Sequence, residues 1–481
     1  MVGAGLSGIA AAHHLMAECP GKRFAILEGR AAMGGTWDLF RYPGVRSDSD
    51  IFTLGYSFKP WQGKETIANA DAILKYMKDA ARDEGIDEKI RYGHRVVSAD
   101  WDGASGRWTV QVSRGDALPA ITLTCQFLFM CSGYYAYAEA YRPTFQDEDS
   151  FRGPIVHPQF WPGDLDYRGK QVVVIGSGAT AVTLVPAMAA DAARVTMLQR
   201  SPGYVFARPR VDRLMNAVRA LLPRMMGYRL VRLKFMVRDW LLYRLATSFP
   251  GVVKRFLLAR VRRALGSSKS VQQHFTPRYP PWDQRVCLVP DGDLFESLRT
   301  GRAVVETGVI DRLTPTGVRL QSGKELPADI IVTATGLKFE VMSGVALSVD
   351  GVPVVLGDKL IYKGCMLSGV PNLALAFGYA NASWTLKAEL VCRYVCRVLQ
   401  HMDRTGQAVC LPDARGVQAT DESLMKLNSN YIARARVYLP RQGDRLPWKA
   451  LHNYAMDIGL LRLGRVDDGS LKFSRSHDEG I

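Results

Sequence analysis

Two glycine-rich hexads carry the first chemistry in this chain: Gly3-Ala4-Gly5-Leu6-Ser7-Gly8 at its start and Gly176-Ser177-Gly178-Ala179-Thr180-Ala181 further on. A loop of this spacing turns sharply and brings backbone close to a pyrophosphate, which then rests on the positive end of the following helix. After the first hexad, Arg23-Phe24-Ala25-Ile26-Leu27 reads as an apolar strand, and Glu28 ends it twenty residues past Gly8. A carboxylate there can accept both hydroxyls of an adenosine ribose. After the second, Val195-Thr196-Met197-Leu198 leads to Gln199-Arg200-Ser201. A guanidinium in that place suits a 2′-phosphate, which a carboxylate would repel.

The elements that must position these loops follow from apolar patterning. A helix is expected over 7–17, an amphipathic helix over 70–85 and strands over 91–112. Phe127-Leu128-Phe129-Met130 and Asp329-Ile330-Ile331-Val332 read as buried strands that end in small-residue turns, and a helix is expected near 385–401. Gln171-Val172-Val173-Val174-Ile175 is a continuous apolar strand feeding the second hexad. Before the first hexad only Met1 and Val2 remain. A central parallel strand belongs there, so its absence is expected to split the sheet, and the natural start is expected upstream of Met1.

A length of 481 residues suits two or three domains, and 47% apolar with 22% charged residues is the balance of a globular protein. The eight cysteines are scattered without C-x-x-C pairs or ligand-like spacing to histidine, which argues against a disulfide scaffold or a metal site and fits a reducing cytoplasm. No run is long and uncharged enough to span a bilayer. The net charge of +16 comes almost wholly from one segment: Phe206 to Ser270 holds sixteen lysines and arginines against Asp212 and Asp239. Nucleic acid is therefore not the expected partner. Leu, Met, Val and Phe recur there at helical spacing, with Pro223 and Pro250 dividing the segment into about three helices. Two readings stand: cationic side chains covering a domain surface, or peripheral attachment to the anionic inner face of a cell membrane.

Between the hexads lies Phe151-Arg152-Gly153-Pro154-Ile155-Val156-His157-Pro158-Gln159-Phe160-Trp161-Pro162. As chemistry it is an aromatic, Pro-rich connector with one histidine, and a structural or domain-coupling job is expected for His157. The arrangement F-x-G-x-x-x-H-x-x-x-W-P between two dinucleotide loops resembles the fingerprint of Baeyer–Villiger monooxygenases, a branch of the flavin-dependent monooxygenases. The phrases Gly35-Thr36-Trp37-Asp38-Leu39-Phe40-Arg41-Tyr42-Pro43-Gly44 and Asn381-Ala382-Ser383-Trp384-Thr385-Leu386-Lys387 are similar to a thioamide-activating subgroup of that family.

The resemblance implies an α/β fold of two Rossmann-like dinucleotide-binding domains, for FAD and NADPH, with a helical insertion. The implied division is 1–150 with 330–400 for FAD, a linker over 151–165, 166–205 with 276–330 for NADPH, the basic insertion over 206–275 and a polar C-terminal extension over 401–481. It places FAD on Gly3, Gly5, Ser7, Gly8, Glu28, Thr36, Trp37, Asp38, Leu39 and the backbone of Val96. It places NADPH on the second hexad, Arg200 and Ser201, with Arg46, Ser47 and Asp48 toward the nicotinamide half. Where the family often adds a lysine before its essential arginine, this chain has Gln284, one phosphate contact fewer. Arg285 matches that arginine and Asp48 is its implied orienting partner. The implied reaction takes O2 and a small apolar ketone to an ester or lactone, or oxygenates a thioamide or sulfide sulfur. Two rivals remain: a monooxygenase that prefers nitrogen and sulfur, and a degenerate flavoprotein held at a membrane surface.

Overall fold

The computed structural model describes residues 1–115, 118–379, 382–425 and 430–475. Its first unit is a short parallel sheet. Ile26–Leu27 pairs with Ile90–Arg91, Val2 bridges both Leu27 and Met130, and Leu128–Met130 pairs with Leu373–Leu375. The sheet is not split at the first hexad. Val2 N–H donates to Phe129 O at 2.9 Å and Leu27 N–H to Met1 O at 2.9 Å. Gly3 N–H then reaches Leu27 O and Cys131 N–H reaches Val2 O, both at 2.8 Å. Two residues thus carry the ladders on both sides. Helix Leu6–Glu18 buries Ile9 with Ala10, Ala11 and Ala12, and the small alanines let helix Trp384–Thr405 pack close.

The second unit is a five-stranded parallel sheet in the order Ala303–Thr307, Arg194–Gln199, Gln171–Ile175, Ile330–Thr333, Ile155–Val156. Val172, Val173 and Val174 are buried on both faces, as a central parallel strand requires. Two expected boundaries shift in consequence. Ile330–Thr333, read at the edge of the first unit's return segment, pairs beside Gln171–Ile175, because all four of its residues are apolar or buried. The linker also contributes, through the edge strand Ile155–Val156. A separate sheet over 95–125, with 346–353 at its edge, carries Val96.

The basic insertion forms four helices rather than three: Arg213–Leu221, Arg224–Ser248, Pro250–Leu265 and Ser268–His274. Pro223 and Pro250 make the expected breaks. The extra break comes at Gly266, left-handed at φ 69°, after which Ser267 caps the last helix through Ser270 N. The cationic side chains do not all lie on the surface. Arg232 is buried, donating to Phe52 O at 2.7 Å and to Glu389 of helix Trp384–Thr405 at 3.0 Å. Tyr228 adds a bond to Tyr56 O at 2.8 Å, so the long helix is fastened into the first unit. Among the described residues no helix is long and apolar enough to cross a membrane.

The segment expected as a polar C-terminal extension is part of the first unit's core. Val409–Pro412 pairs with Leu471–Ser474, and Trp448, Leu461 and Leu471 are buried among first-unit residues. Its apolar residues come in short runs such as 408–411 and 437–439, separated by polar stretches, with no sustained helical or alternating period to read.

Candidate active site

One cleft of about 490 Å³ gathers Gly3, Gly5, Ser7, Glu28, Thr36 and Trp37 with Ser47, Asp48, Val96 and Arg285. Gly3 sits at φ 100°, and a Cβ on it would lie 2.8 Å from Cys131 O. A Cβ on Gly8 would lie 2.0 Å from Gly3 O, so Gly8 serves the closure of the turn rather than the cleft wall. Glu28 is buried and accepts from Ala4 N at 2.8 Å and from Arg30 N at 2.9 Å. Both bonds hold its carboxylate against the loop.

Besides Gly8, three residues expected at the site in the first unit are not brought to this cleft. Asp38 is buried between Arg30 and Arg41, each at 2.8 Å, which occupies its carboxylate. Leu39 packs on the second unit's core. Arg46, expected at the nicotinamide half of a dinucleotide, is instead paired with Asp293, its second contact at 3.3 Å. A carboxylate from helix Asp293–Arg299 reaches it first, and the pair ties the two units together. Ser47 stays in the cleft wall, its hydroxyl donating to Ser49 O at 2.8 Å.

The second hexad forms its own turn. Gly176, at φ 140°, would place a Cβ 2.3 Å from Ala334 O, whereas a Cβ on Gly178 would meet nothing within 4 Å. Helix Ala179–Met188 begins there, with Ala181 buried, so its N–H groups and the open flank of Gly178 face the same space. Ser177 Oγ lies 3.5 Å from Ser201 O, and Arg200 is exposed just past its strand. Thr180 meets the Tyr42 hydroxyl, whose phenol burial pushes up to about 12. A Cβ on Gly44 would lie 2.7 Å from Ala187 Cβ. The loop that bears Asp48 therefore lies against the second unit's helix.

Arg285 arrives on a Pro-rich loop of the second unit and donates to Asp48 of the first. Their side chains are 40% and 31% exposed, so the pair stands in the cleft wall rather than in the core. The same cleft holds Tyr379 and Trp384, which were not among the expected site residues. Trp384 Nε1 donates to Ser7 Oγ at 2.8 Å. Tyr379 donates to Asp457 at 2.5 Å, and Lys387 reaches the same carboxylate at 3.2 Å. Burial and the Asp457 charge push the Tyr379 phenol well up. Trp384 lies within the stretch over 381–387 whose pattern was visible and Tyr379 just before it, but Asp457 lies 78 residues from Tyr379 and no local signal joins them. Asn381, at the head of that stretch, lies outside the described residues.

His157 has both ring nitrogens in use. Nε2 donates to Gly336 O at 3.1 Å, while Nδ1 accepts from Gln159 N at 3.1 Å, an arrangement that fixes the neutral tautomer. Burial lowers its pKa. Gln159 donates to Ala136 O at 2.8 Å, so the linker clasps the paired strands Tyr135–Ala140 and Leu337–Phe339 that join the units.

A family model described as flavin-binding monooxygenase-like matches residues 61–249, and one described as an NAD(P)-binding Rossmann-like domain matches residues 1–58. FAD-containing monooxygenase EthA of Mycobacterium tuberculosis is 50% identical over 476 residues, 99% of this chain and 97% of that protein. The chain belongs to the flavin-dependent monooxygenases. This monooxygenase is also 44% identical over 480 residues, 99% of its length and 96% of the other's, to the probable FAD-binding monooxygenase AlmA of Acinetobacter baylyi. In fold it is similar to an oxidized steroid monooxygenase bound to NADP, with a TM-score of 0.77 at 22% identity over 98% of each chain. An open cyclohexanone monooxygenase structure gives a TM-score of 0.75 at 18% identity, again over 98% of each chain.

The residues of the first cleft fit the flavin dinucleotide that such an enzyme employs. The Gly3–Gly8 turn leaves the helix N-terminus open, and Glu28 is held at the strand end with oxygen lone pairs to spare. Val96 closes the wall as a buried apolar residue. The second turn, with Gly178 open and no acid at its strand end, fits a phosphorylated nicotinamide dinucleotide.

Proposed function

We propose that this monooxygenase, with FAD and NADPH as cofactors, inserts one atom of O2 beside a ketone carbonyl to give an ester or lactone, and also oxygenates thioamide or sulfide sulfur. The observation that supports this reading most is the Asp48–Arg285 pair in the wall of the cleft that Glu28 and the first hexad also line. The fingerprint over 151–162 points to the same branch. Bound FAD, once reduced by NADPH, supplies the activation of O2.

The chain's residues bind, orient and stabilise. Glu28 takes the adenosine ribose, the Gly3–Gly8 turn the pyrophosphate, Val96 the adenine, and Thr36 with Trp37 the flavin end. The second hexad takes the NADPH pyrophosphate, and Arg200 with Ser201 its 2′-phosphate. Arg285 offers fixed positive charge where negative charge gathers on the ketone oxygen, and Asp48 orients that guanidinium. Charge held in advance costs no reorganisation during the reaction, which is why a paired arginine serves better than a free one.

A reading restricted to nitrogen and sulfur shares the same frame. Incubating the purified enzyme with NADPH and a panel of ketones and sulfides, followed by product analysis, separates the two. Ester or lactone from at least one ketone is expected. Sulfoxide from every sulfide, with every ketone recovered unchanged, would remove the Baeyer–Villiger assignment.

A further inference from the structure

Helix Arg224–Ser248 is apolar on two sides. Tyr228, Val231 and Phe235 face inward and are buried in the first unit. Met226, Leu230, Leu233, Val237, Trp240 and Leu245 face outward and are 45–51% exposed. Met226, Leu230, Leu233, Val237 and Trp240 fall three or four residues apart, so they form a stripe along successive turns of one helical face. Phe249 at the break between the helices, and Val252 and Phe256 on the next one, are each more than half exposed. Arg229, Arg244 and Arg255 are exposed among them. A helix that met only water would turn this face the other way. An outward apolar surface of this extent marks a docking site.

Charge decides what docks. The exposed charges among these side chains, Arg229, Arg244 and Arg255, are all positive, so a second copy of the same face would be repelled. An anionic lipid surface satisfies both features, taking the apolar side chains below its headgroups and the guanidinium groups at them. A second cavity opens at the same end of the helix. It measures about 390 Å³ and is lined by Tyr243, Ala246 and Pro250 on one side and by Pro281, Trp282 and Asp283 on the other. Trp282 has φ 71°, a strained backbone for a bulky residue, and Arg285 follows three residues later on the same loop.

We propose that the outward face of Arg224–Ser248 and Pro250–Leu265 docks this enzyme on an anionic bilayer, and that the cavity at Trp282 admits apolar substrate from the lipid toward Arg285. The docking half stands on the surface alone; the delivery half rests on the monooxygenase reading.

The test uses the full-length, FAD-loaded protein. It is co-sedimented with phosphatidylglycerol or phosphatidylcholine vesicles at about 50 and 500 mM salt, where exposed charges are weakly and strongly screened. Binding to phosphatidylglycerol that weakens with salt is expected. Arg229→Gln with Arg244→Gln should weaken it by about thirtyfold, and Leu233→Ser with Trp240→Ser by at least about tenfold, with FAD content unchanged. Absence of binding to phosphatidylglycerol, equal binding to both lipids, or wild-type affinity in the serine variant overturns docking. So does a dimer in light scattering that the serine substitutions dissolve, since the face would then be covered by a second copy. For delivery, the serine variant should turn over a vesicle-held ketone about tenfold more slowly and a water-soluble ketone at the wild-type rate. Equal loss on both overturns delivery. Sedimentation needs no turnover, so docking is decided even if the enzyme oxidises neither ketone.

Discussion

The Arg285 guanidinium donates to the Asp48 carboxylate across 237 residues of chain, and with that contact the second unit places a cation in the wall of the first unit's cleft. Neither residue is set by its own element alone. Arg46 with Asp293, Tyr42 against Thr180 and Gly44 against Ala187 press the loop around Asp48 onto the second unit. The distance between cation and cleft is therefore a property of how the units join. Asp48→Asn keeps a hydrogen-bond acceptor but removes the charge. It should lower kcat for oxygenated product by about tenfold to a hundredfold, the usual penalty for a misplaced catalytic group. The check is product formed per NADPH consumed, which should fall as well.

Arg200 stands exposed just past its strand, and the next residue, Ser201, has its carbonyl 3.5 Å from Ser177 Oγ in the second hexad. If it holds the 2′-phosphate, Arg200→Ala should raise KM for NADPH by an amount equivalent to about 1.5–3 kcal/mol, the range for a charge-assisted bond. KM for NADH should hardly change. Steady-state kinetics with both nucleotides decide this, and an equal loss for both would refute the assignment.

Asp457 is shared by Tyr379 and Lys387, and all three are buried. Removing the carboxylate leaves an ammonium group uncompensated in the core. Asp457→Ala should destabilise the fold by about 3–5 kcal/mol, whereas Tyr379→Phe, which leaves the ion pair intact, should cost about 1 kcal/mol. Denaturant unfolding of the two variants measures the difference. Similar values for both would mean that the Lys387–Asp457 pair contributes little.

The neutral His157 ring bridges Gln159 N and Gly336 O, and burial holds its pKa below the ordinary value of about 6.5. The unfolded chain therefore takes up the proton first. Stability from this group is complete above pH 6.5 and is lost as pH falls below it. His157→Gln should have a lower Tm at pH 8 and a smaller fall between pH 7 and pH 5.5 than the wild type. Parallel Tm–pH curves for the two proteins would contradict the role.

Much of this was legible locally. The hexads, the strand that ends at Glu28 and the apolar run over 171–175 each declare themselves within a few residues, because turn chemistry and strand burial act at short range. In the linker, His157 finds one backbone partner close by, Gln159, whereas the other, Gly336, lies 179 residues on. What escaped was set by contacts between distant segments. Nothing near Arg46 shows that Asp293 will meet it. Lys387 and Asp457 find each other only when the C-terminal segment folds back into the core. The basic insertion was visible as charge. That its long helix turns apolar side chains both inward and outward required knowing which turn Arg232 and Phe235 bury.

The central claim is that Arg285 supports the oxygen-transfer stage and not the delivery of electrons from NADPH. Stopped-flow absorbance of Arg285→Ala separates the two. Under anaerobic conditions, flavin reduction by NADPH should proceed near the wild-type rate. After admission of O2 and ketone, ester formation should fall by at least about a hundredfold to a thousandfold, the loss expected when a fixed stabiliser of developing negative charge is removed. Ester formation at near wild-type rate in that variant would contradict the account.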